Sequence, residues 1–238
     1  MKSTSHFAMA HLLYASLEKR GIYLNRIAFV YGNIAPDYTP AMLVNPHFSK
    51  VCNKEITEIT ACLSQTSLDS SGRVGADYSR QLGFLCHFLC DYFCFAHNKE
   101  FAGGIKQHRK YEDELDAYLR HNYLRLFDMD GKKQFRLHPS HGLLLRSCER
   151  FKEKYLAEGF TLENDLSYSF QACVSAILSL LAMSAKVVDS SVEITLDDLI
   201  ASLKGYATGN CLTFHMFFFK NRHNDIFFVP ELMPPIRA

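Results

Sequence analysis

The apolar stretch at residues 76–97, in the middle of the chain, constrains the fold most strongly. Its apolar residues cover more than one face of a helix, so we expect a helix that is buried on most of its sides. The same stretch contains His87 and Asp91, which share one helical face because they lie four residues apart. Burying such polar groups without a metal ion or full pairing would be costly, so the helix must bring them partners.

Helical periodicity also dominates the rest of the chain. Further predicted helices cover residues 6–20, 25–31, 53–64, 106–126, 139–158, 162–188 and 196–207. Glycine, proline and small polar residues predict loops at residues 32–37, 40–47 and 67–75, and a turn at residues 128–133. Few segments alternate with the period of a strand. We predict an all-α fold, a single-domain helical bundle over residues 1–238, with the last part from Phe214 unassigned.

The composition is that of a globular protein. Hydrophobic residues make up 48% of the 238 residues, which is enough to form a sizeable core. The 26 basic and 25 acidic side chains give a formal charge of +1. Because there is no basic excess, the charge does not indicate a nucleic-acid partner.

Localisation and cysteine usage follow from the same composition. The first residues lack an apolar core of signal-peptide length, so we expect a cytoplasmic protein. The most hydrophobic run, residues 170–188, is interrupted by polar side chains and predicts a buried helix rather than a transmembrane segment. Among the eight cysteines, Cys86, Cys90 and Cys94 recur every four residues, where a disulfide within one helix would be strained. We expect mostly small buried thiols.

A second set of metal donors follows the central stretch. His97 should lie about 9 Å beyond Asp91 along a helix, at 1.5 Å per residue, so we expect it to serve a different ion. His108 and Glu112 repeat the four-residue spacing after a diglycine break. Upstream donors are His6, Asp37 and His47. Imidazole and carboxylate without thiolate suit catalytic zinc, which keeps a coordination position open for water.

These motifs resemble the zinc-dependent phospholipase C family, the all-helical trinuclear-zinc phosphodiesterases related to P1-type nucleases. The matching pieces, in the family's order, are Ser5-His6, Pro36-Asp37, Pro46-His47-Phe48, His87-x3-Asp91-x5-His97 and His108-x3-Glu112. They cover roughly the first half of the chain. The interval between Asp37 and His47 is shorter than in the secreted phospholipases.

The resemblance implies two or three zinc ions. The first ion would be held by Asp37, His47, His87 and Asp91, the second by His97, His108 and Glu112, and the third by His6 and a bridging Asp91. In the secreted enzymes the third ion also binds the amine and carbonyl of an N-terminal Trp, a residue type absent here. Zinc would activate water for attack on phosphorus, and Asp37 would orient that water or take its proton.

We therefore expect a metal-dependent phosphoesterase that hydrolyses a phosphodiester. The expected substrate is a phospholipid headgroup or a small phosphate ester, with transient contact to a membrane surface. A P1-like single-strand nuclease is an alternative, although near-neutral charge and the lack of Trp for base stacking count against it. A non-catalytic metal-binding or interaction domain, with the metal as a structural staple, is the alternative from another class.

Overall fold

The computed structural model describes residues 1–38, 49–68, 74–130 and 135–185. These residues form seven α-helices and two short 3-10 helices, and contain no strand. The α-helices are α1 (Ser3–Lys19), α2 (Arg26–Ile34), α3 (Ser49–Gln65), α4 (Ala76–Tyr92), α5 (Ile105–Asp130), α6 (His141–Glu158) and α7 (Leu162–Ser184). The 3-10 helices are Ala35–Tyr38 and Phe95–His97. The all-α prediction is confirmed.

Three sequence predictions fall outside the described ranges, namely the loop at residues 40–47, the helix at residues 196–207 and the phenylalanine-rich segment that begins at Phe214. The single domain over residues 1–238 therefore stays a prediction. All described residues belong to one compact unit, Met1–Ala207.

The central helix is shorter than its apolar periodicity predicts. It ends at Tyr92, and His97 lies instead on the separate 3-10 helix. The prediction of one helix over residues 76–97 is wrong, because side chains from other helices form hydrogen bonds with the backbone there. The Lys152 ammonium donates to the Tyr92 carbonyl, and the Phe95 amide donates to Asp165. Neither partner is visible in the local pattern.

Two smaller boundaries also differ from the predictions. The predicted loop at residues 32–37 is helical, because α2 continues to Ile34 and a 3-10 helix follows. Residues 128–130 of the predicted turn at residues 128–133 are helical, since α5 runs to Asp130, and the remaining three lie outside the described residues.

The core forms around α4 and α7. Helix α4 packs against α2, α3 and α7, and most residues of α7 are buried. Helix α7 is long and apolar enough to cross a membrane, yet 78% of its apolar stretch is buried inside the protein. Such burial is that of a core helix, as the sequence predicted for residues 170–188. All seven cysteines in the described ranges are free thiols, and five of them are buried.

Two glycines allow α2 and α4 to cross at backbone contact. A Cβ on Gly32 would lie 2.2 Å from the Arg80 carbonyl oxygen, and a Cβ on Gly83 would lie 2.3 Å from that of Phe29. Only glycine permits such an approach without a shift of the backbone. The crossing brings the end of α2 next to the middle of α4, where His87 lies.

Candidate metal centre

A first group of donors joins α1 to α4. The rings of His6 and His87 stack with centroids 3.9 Å apart. The Asp91 carboxylate lies 3.2 Å from His6 Nε2 through Oδ1 and 3.5 Å from His87 Nε2 through Oδ2. All three side chains are fully buried, and one donor atom from each lies within 4.8 Å of the others. The three donors are close enough to bind a single ion.

A second group joins the 3-10 helix Phe95–His97 to α5. Glu112 Oε1 lies 3.1 Å from His97 Nε2 and 3.3 Å from His108 Nε2. The diglycine break reverses the chain, as predicted, so that α5 returns to His97. His97 Nδ1 also lies 3.7 Å from Asp91 Oδ2. Asp91 therefore lies between the two groups.

Of the two remaining predicted donors, the structure describes only Asp37, which lies near His87. Asp37 Oδ1 lies 3.8 Å from His87 Nε2, and Asp37 Oδ2 accepts a 2.7 Å hydrogen bond from Ser3. His47 lies outside the described residues. The structure thus brings seven of the eight predicted donors to one place, and their role as metal ligands stays a prediction.

His97 does not continue the helix that carries Asp91, contrary to the expectation of a 9 Å spacing along one helix. Because α4 ends at Tyr92, His97 does not lie about 1.7 turns further along the same helix. The chain turns back, and His97 reaches the second group from the 3-10 helix. His6, expected at a third ion, lies in the same group as His87 and Asp91.

The orientation of His87 is set by the helix crossing. Its Nδ1 lies 2.9 Å from the carbonyl oxygen of Asn33, at the end of α2. Since a carbonyl only accepts, Nδ1 carries the hydrogen and Nε2 is left to face Asp37 and Asp91. A histidine ligand held in this way by a backbone carbonyl is typical of metal sites.

The α-amine of Met1 occupies the same centre. As an ammonium it contacts the Asp91 carboxylate and lies 3.2 Å from Glu112 Oε1 and 2.9 Å from His97 Nε2. Burial alone would lower the pKa of this amine, but Asp91 and Glu112 raise it well above its usual value. When deprotonated, the amine would be a further nitrogen donor. The helical and motif patterns of the sequence did not place this group at the centre.

The electrostatics of the centre fit a bound cation. Neither ring nitrogen of His6 makes a hydrogen bond of good geometry with any described residue, although the side chain is fully buried. Burial alone would lower the pKa of His6, but the Asp91 carboxylate raises it to about 9. Burial would raise the pKa of Glu112, but the Met1 ammonium, His108 and His97 lower it well below its usual range. Imidazoles and carboxylates without thiolate are a donor set that occurs in catalytic zinc sites.

A sequence model described as zinc dependent phospholipase C matches residues 5–162. The chain belongs to the zinc-dependent phospholipase C family. The matched range includes both donor groups, and the helical architecture agrees with this family. Comparisons with curated proteins and with solved structures gave no match. Membership and the two donor groups together support a metal-dependent, phospholipase-like function.

Proposed function

We propose that this protein hydrolyses the phosphodiester bond of a phospholipid with zinc held at two adjacent positions. The observation that carries the proposal is the location of Asp91. One of its oxygens faces His6, and the other faces His87 and His97, so a single carboxylate links both donor groups. Two metals about 3.5–4 Å apart are a recurrent arrangement in phosphoryl-transfer enzymes.

The chain's own residues have separate roles in this proposal. His6, His87 and Asp91 would hold one ion, with Asp37 and His47 completing its ligands. His97, His108 and Glu112 would hold the other. When bound, zinc would supply the positive charge that acidifies a water molecule and stabilises negative charge developing on the phosphate oxygens.

Asp37 is the residue we assign to proton transfer. Its side chain is 20% exposed, whereas that of Asp91 is 1% exposed. The Ser3 hydroxyl binds Asp37 Oδ2, which leaves Oδ1 on the side of His87. A carboxylate anchored in this way can orient an attacking water and accept its proton.

The partial exposure of two of the donors, Asp37 and His108, favours catalysis over a purely structural metal. His6 and His87 are fully buried, whereas His108 is 27% exposed. With Asp37, it marks the side from which a phosphate group can approach. A structural zinc site is instead closed by four protein ligands.

Contact with a lipid surface is supported by exposed apolar side chains on α2 and next to Asp37. Ile27 and Tyr31 are 59% and 56% exposed and share one face of α2, and Tyr38 is 69% exposed. Tyrosine favours the interface between water and lipid, because its ring is apolar and its hydroxyl is polar. We expect the double change Ile27→Ser and Tyr31→Ser to reduce hydrolysis of phosphatidylcholine in vesicles and to spare a soluble substrate.

Elemental analysis combined with hydrolysis assays tests the proposal. The substrates are p-nitrophenyl phosphorylcholine, phosphatidylcholine vesicles and single-stranded DNA, each with and without added zinc. His87→Ala should lose the zinc position formed with His6 and Asp91, and with it the activity. His121→Ala is the matched control, because His121 is exposed on α5 and, among the described residues, its side chain bonds only the Ala117 carbonyl of its own helix.

Each alternative function has its own outcome in this experiment. Hydrolysis of DNA alone would favour the nuclease. Tightly bound zinc without turnover of any substrate would favour the non-catalytic domain, in which the metal has only a structural role. Full activity in His87→Ala would remove the proposed centre.

A further inference from the structure

Asp165 on α7 is a buried carboxylate that takes no part in the proposed chemistry. It is fully buried and accepts three hydrogen bonds. The Phe95 amide and the Tyr111 hydroxyl donate to Oδ2, each at 2.8 Å, and the Tyr155 hydroxyl donates to Oδ1 at 2.7 Å. Asp165 also lies beyond residues 5–162, the range matched by the family model.

The two donors to Oδ2 come from the two elements that carry the second donor group. Phe95 begins the 3-10 helix that ends at His97. Tyr111 lies on α5, directly before Glu112 and three residues after His108. A single oxygen atom therefore bonds both of these elements.

A buried lysine restrains the segment from Tyr92 to Asn98, called here the His97 turn. The Lys152 ammonium on α6 donates to the Tyr92 carbonyl and, at 2.5 Å, to Asn98 Oδ1. Tyr92 is the last residue of α4, and Asn98 directly follows His97. Asn98 in turn donates from its side chain to the Cys94 carbonyl at 2.6 Å. The segment from Tyr92 to Asn98 is thus fixed at both ends and in its middle.

The charges of the two residues are compatible with this role. Burial raises the pKa of Asp165 to about 6 and lowers that of Lys152 to about 8. At pH 7 a carboxylate and an ammonium therefore face the same turn and offset each other's charge. Removing one of two such buried charges is far more disruptive than a surface change.

We infer that Asp165 is a positioning residue for the second metal position, with Lys152 as its counterpart, because it joins the His97 turn to the helix that carries His108 and Glu112. The inference rests on the proposed zinc centre. It predicts that zinc affinity at one position depends on a residue that does not contact the metal. Changing a group that orients a ligand typically weakens metal binding by about 10–100-fold.

Zinc affinity measured by competition with a chromophoric chelator tests this inference. The most informative variant is Tyr111→Phe, which removes one hydrogen bond to Asp165 Oδ2 and little else. It should weaken one zinc position by about tenfold, the lower end of the effect of such orienting groups. That position should be the one that His108→Ala abolishes. Asp165→Leu should produce the larger loss.

Tyr78→Phe is the matched control. The Tyr78 hydroxyl also joins two helices in the interior, through Ser184 at 2.6 Å and the Leu180 carbonyl at 3.2 Å. It contacts no residue of the metal centre in these bonds. Tyr78→Phe should lower stability by about 1 kcal/mol, as the loss of a buried hydrogen bond does, and leave zinc affinity unchanged.

Asp165→Asn provides the conservative rescue. Its amide oxygen can still accept from the Phe95 amide and Tyr111, while its amino group faces the Tyr155 hydroxyl, which can accept. The lost charge should lower stability, whereas zinc affinity should stay closer to that of the unchanged protein than in Asp165→Leu. If Asp165 acted only through the stability of the fold, zinc affinity would not differ between Asp165→Asn and Asp165→Leu in this way.

The outcomes separate this inference from the proposed function. Unchanged zinc affinity in Tyr111→Phe, or an equal loss in Tyr78→Phe, would overturn the inference. The comparison of Tyr111→Phe with Tyr78→Phe tests the inference even if Asp165→Leu fails to fold. Loss at the expected position without hydrolysis of any substrate would overturn the function alone. An unchanged protein that binds no zinc would overturn both.

Discussion

The glycine crossing of α2 and α4 offers a quantitative test of how packing sets the metal centre. In Gly83→Ala the new Cβ would lie 2.3 Å from the Phe29 carbonyl oxygen and 2.9 Å from the Asn33 amide nitrogen. Ordinary contact begins at 3.4 Å. The two backbones must therefore separate by about 1 Å, because neither neighbour is a flexible side chain.

The cost of this separation can be estimated from general values. Overpacking of a well-packed interior costs about 1–3 kcal/mol. Because the new Cβ would contact two backbone groups, we take the upper end of this range, about 3 kcal/mol. Alanine regains about 1 kcal/mol over glycine within a helix. We expect a net loss of about 2 kcal/mol, which would lower Tm by about 4–8 °C in a domain of this size.

The same shift should reach the metal centre. The Asn33 carbonyl oxygen is 2.9 Å from His87 Nδ1, and a separation of about 1 Å would exceed hydrogen-bonding distance. His87 would then lose the bond that orients Nε2. Zinc affinity should fall by about 10–100-fold, as it does when such an orienting partner is removed.

Thermal unfolding followed by circular dichroism, together with zinc competition, measures both effects. Gly142→Ala on α6 is the control, because its Cβ would meet nothing within 4 Å. It should leave zinc affinity unchanged and shift stability upward or not at all. If Gly83→Ala matched Gly142→Ala in both measurements, the close crossing could not be what orients His87.

Three further predictions concern the centre itself. Asp91→Asn should weaken zinc binding in both donor groups, since Asp91 faces both; elemental analysis that still finds one tightly bound ion would contradict the linking role. Asp37→Asn should retain one zinc position and lower kcat by about 10²–10⁴, the usual contribution of a general base; steady-state kinetics with wild-type turnover would remove Asp37 from the reaction. Zinc affinity should rise as the pH rises towards 9. Burial alone would lower the pKa of His6, but Asp91 raises it to about 9. Below that pH, the proton on His6 competes with the metal. Calorimetry in buffers of different ionisation enthalpy would detect the released proton, and binding independent of pH would contradict this view.

The helical nature of the chain could be predicted from the sequence because amphipathic periodicity is a local property. Six helices of the described part fall close to their predicted ranges, and the diglycine break before α5 is where the motif spacing predicted it. The end of α4 could not be predicted in this way. The apolar pattern continues to His97, and the helix stops because Lys152 and Asp165 bind the backbone of Tyr92 and Phe95.

The candidate donor side chains were visible in the sequence as well. Spacings of four residues place His87 beside Asp91, and His108 beside Glu112, on any helix. Their meeting was not a local property. The glycine crossing brings Asn33 to His87, and the Asp165 carboxylate bonds Phe95, on the 3-10 helix of His97, and Tyr111 on α5.

The amino-acid sequence by itself determined the helices, the donor types and the family, because periodicity and motif spacing act over a few residues. Only the tertiary structure decided where the central helix ends, which donors form each group, and that the Met1 amine lies among them. These features come from contacts between residues far apart in the chain. Such contacts form only when whole helices pack, so no local pattern contains them.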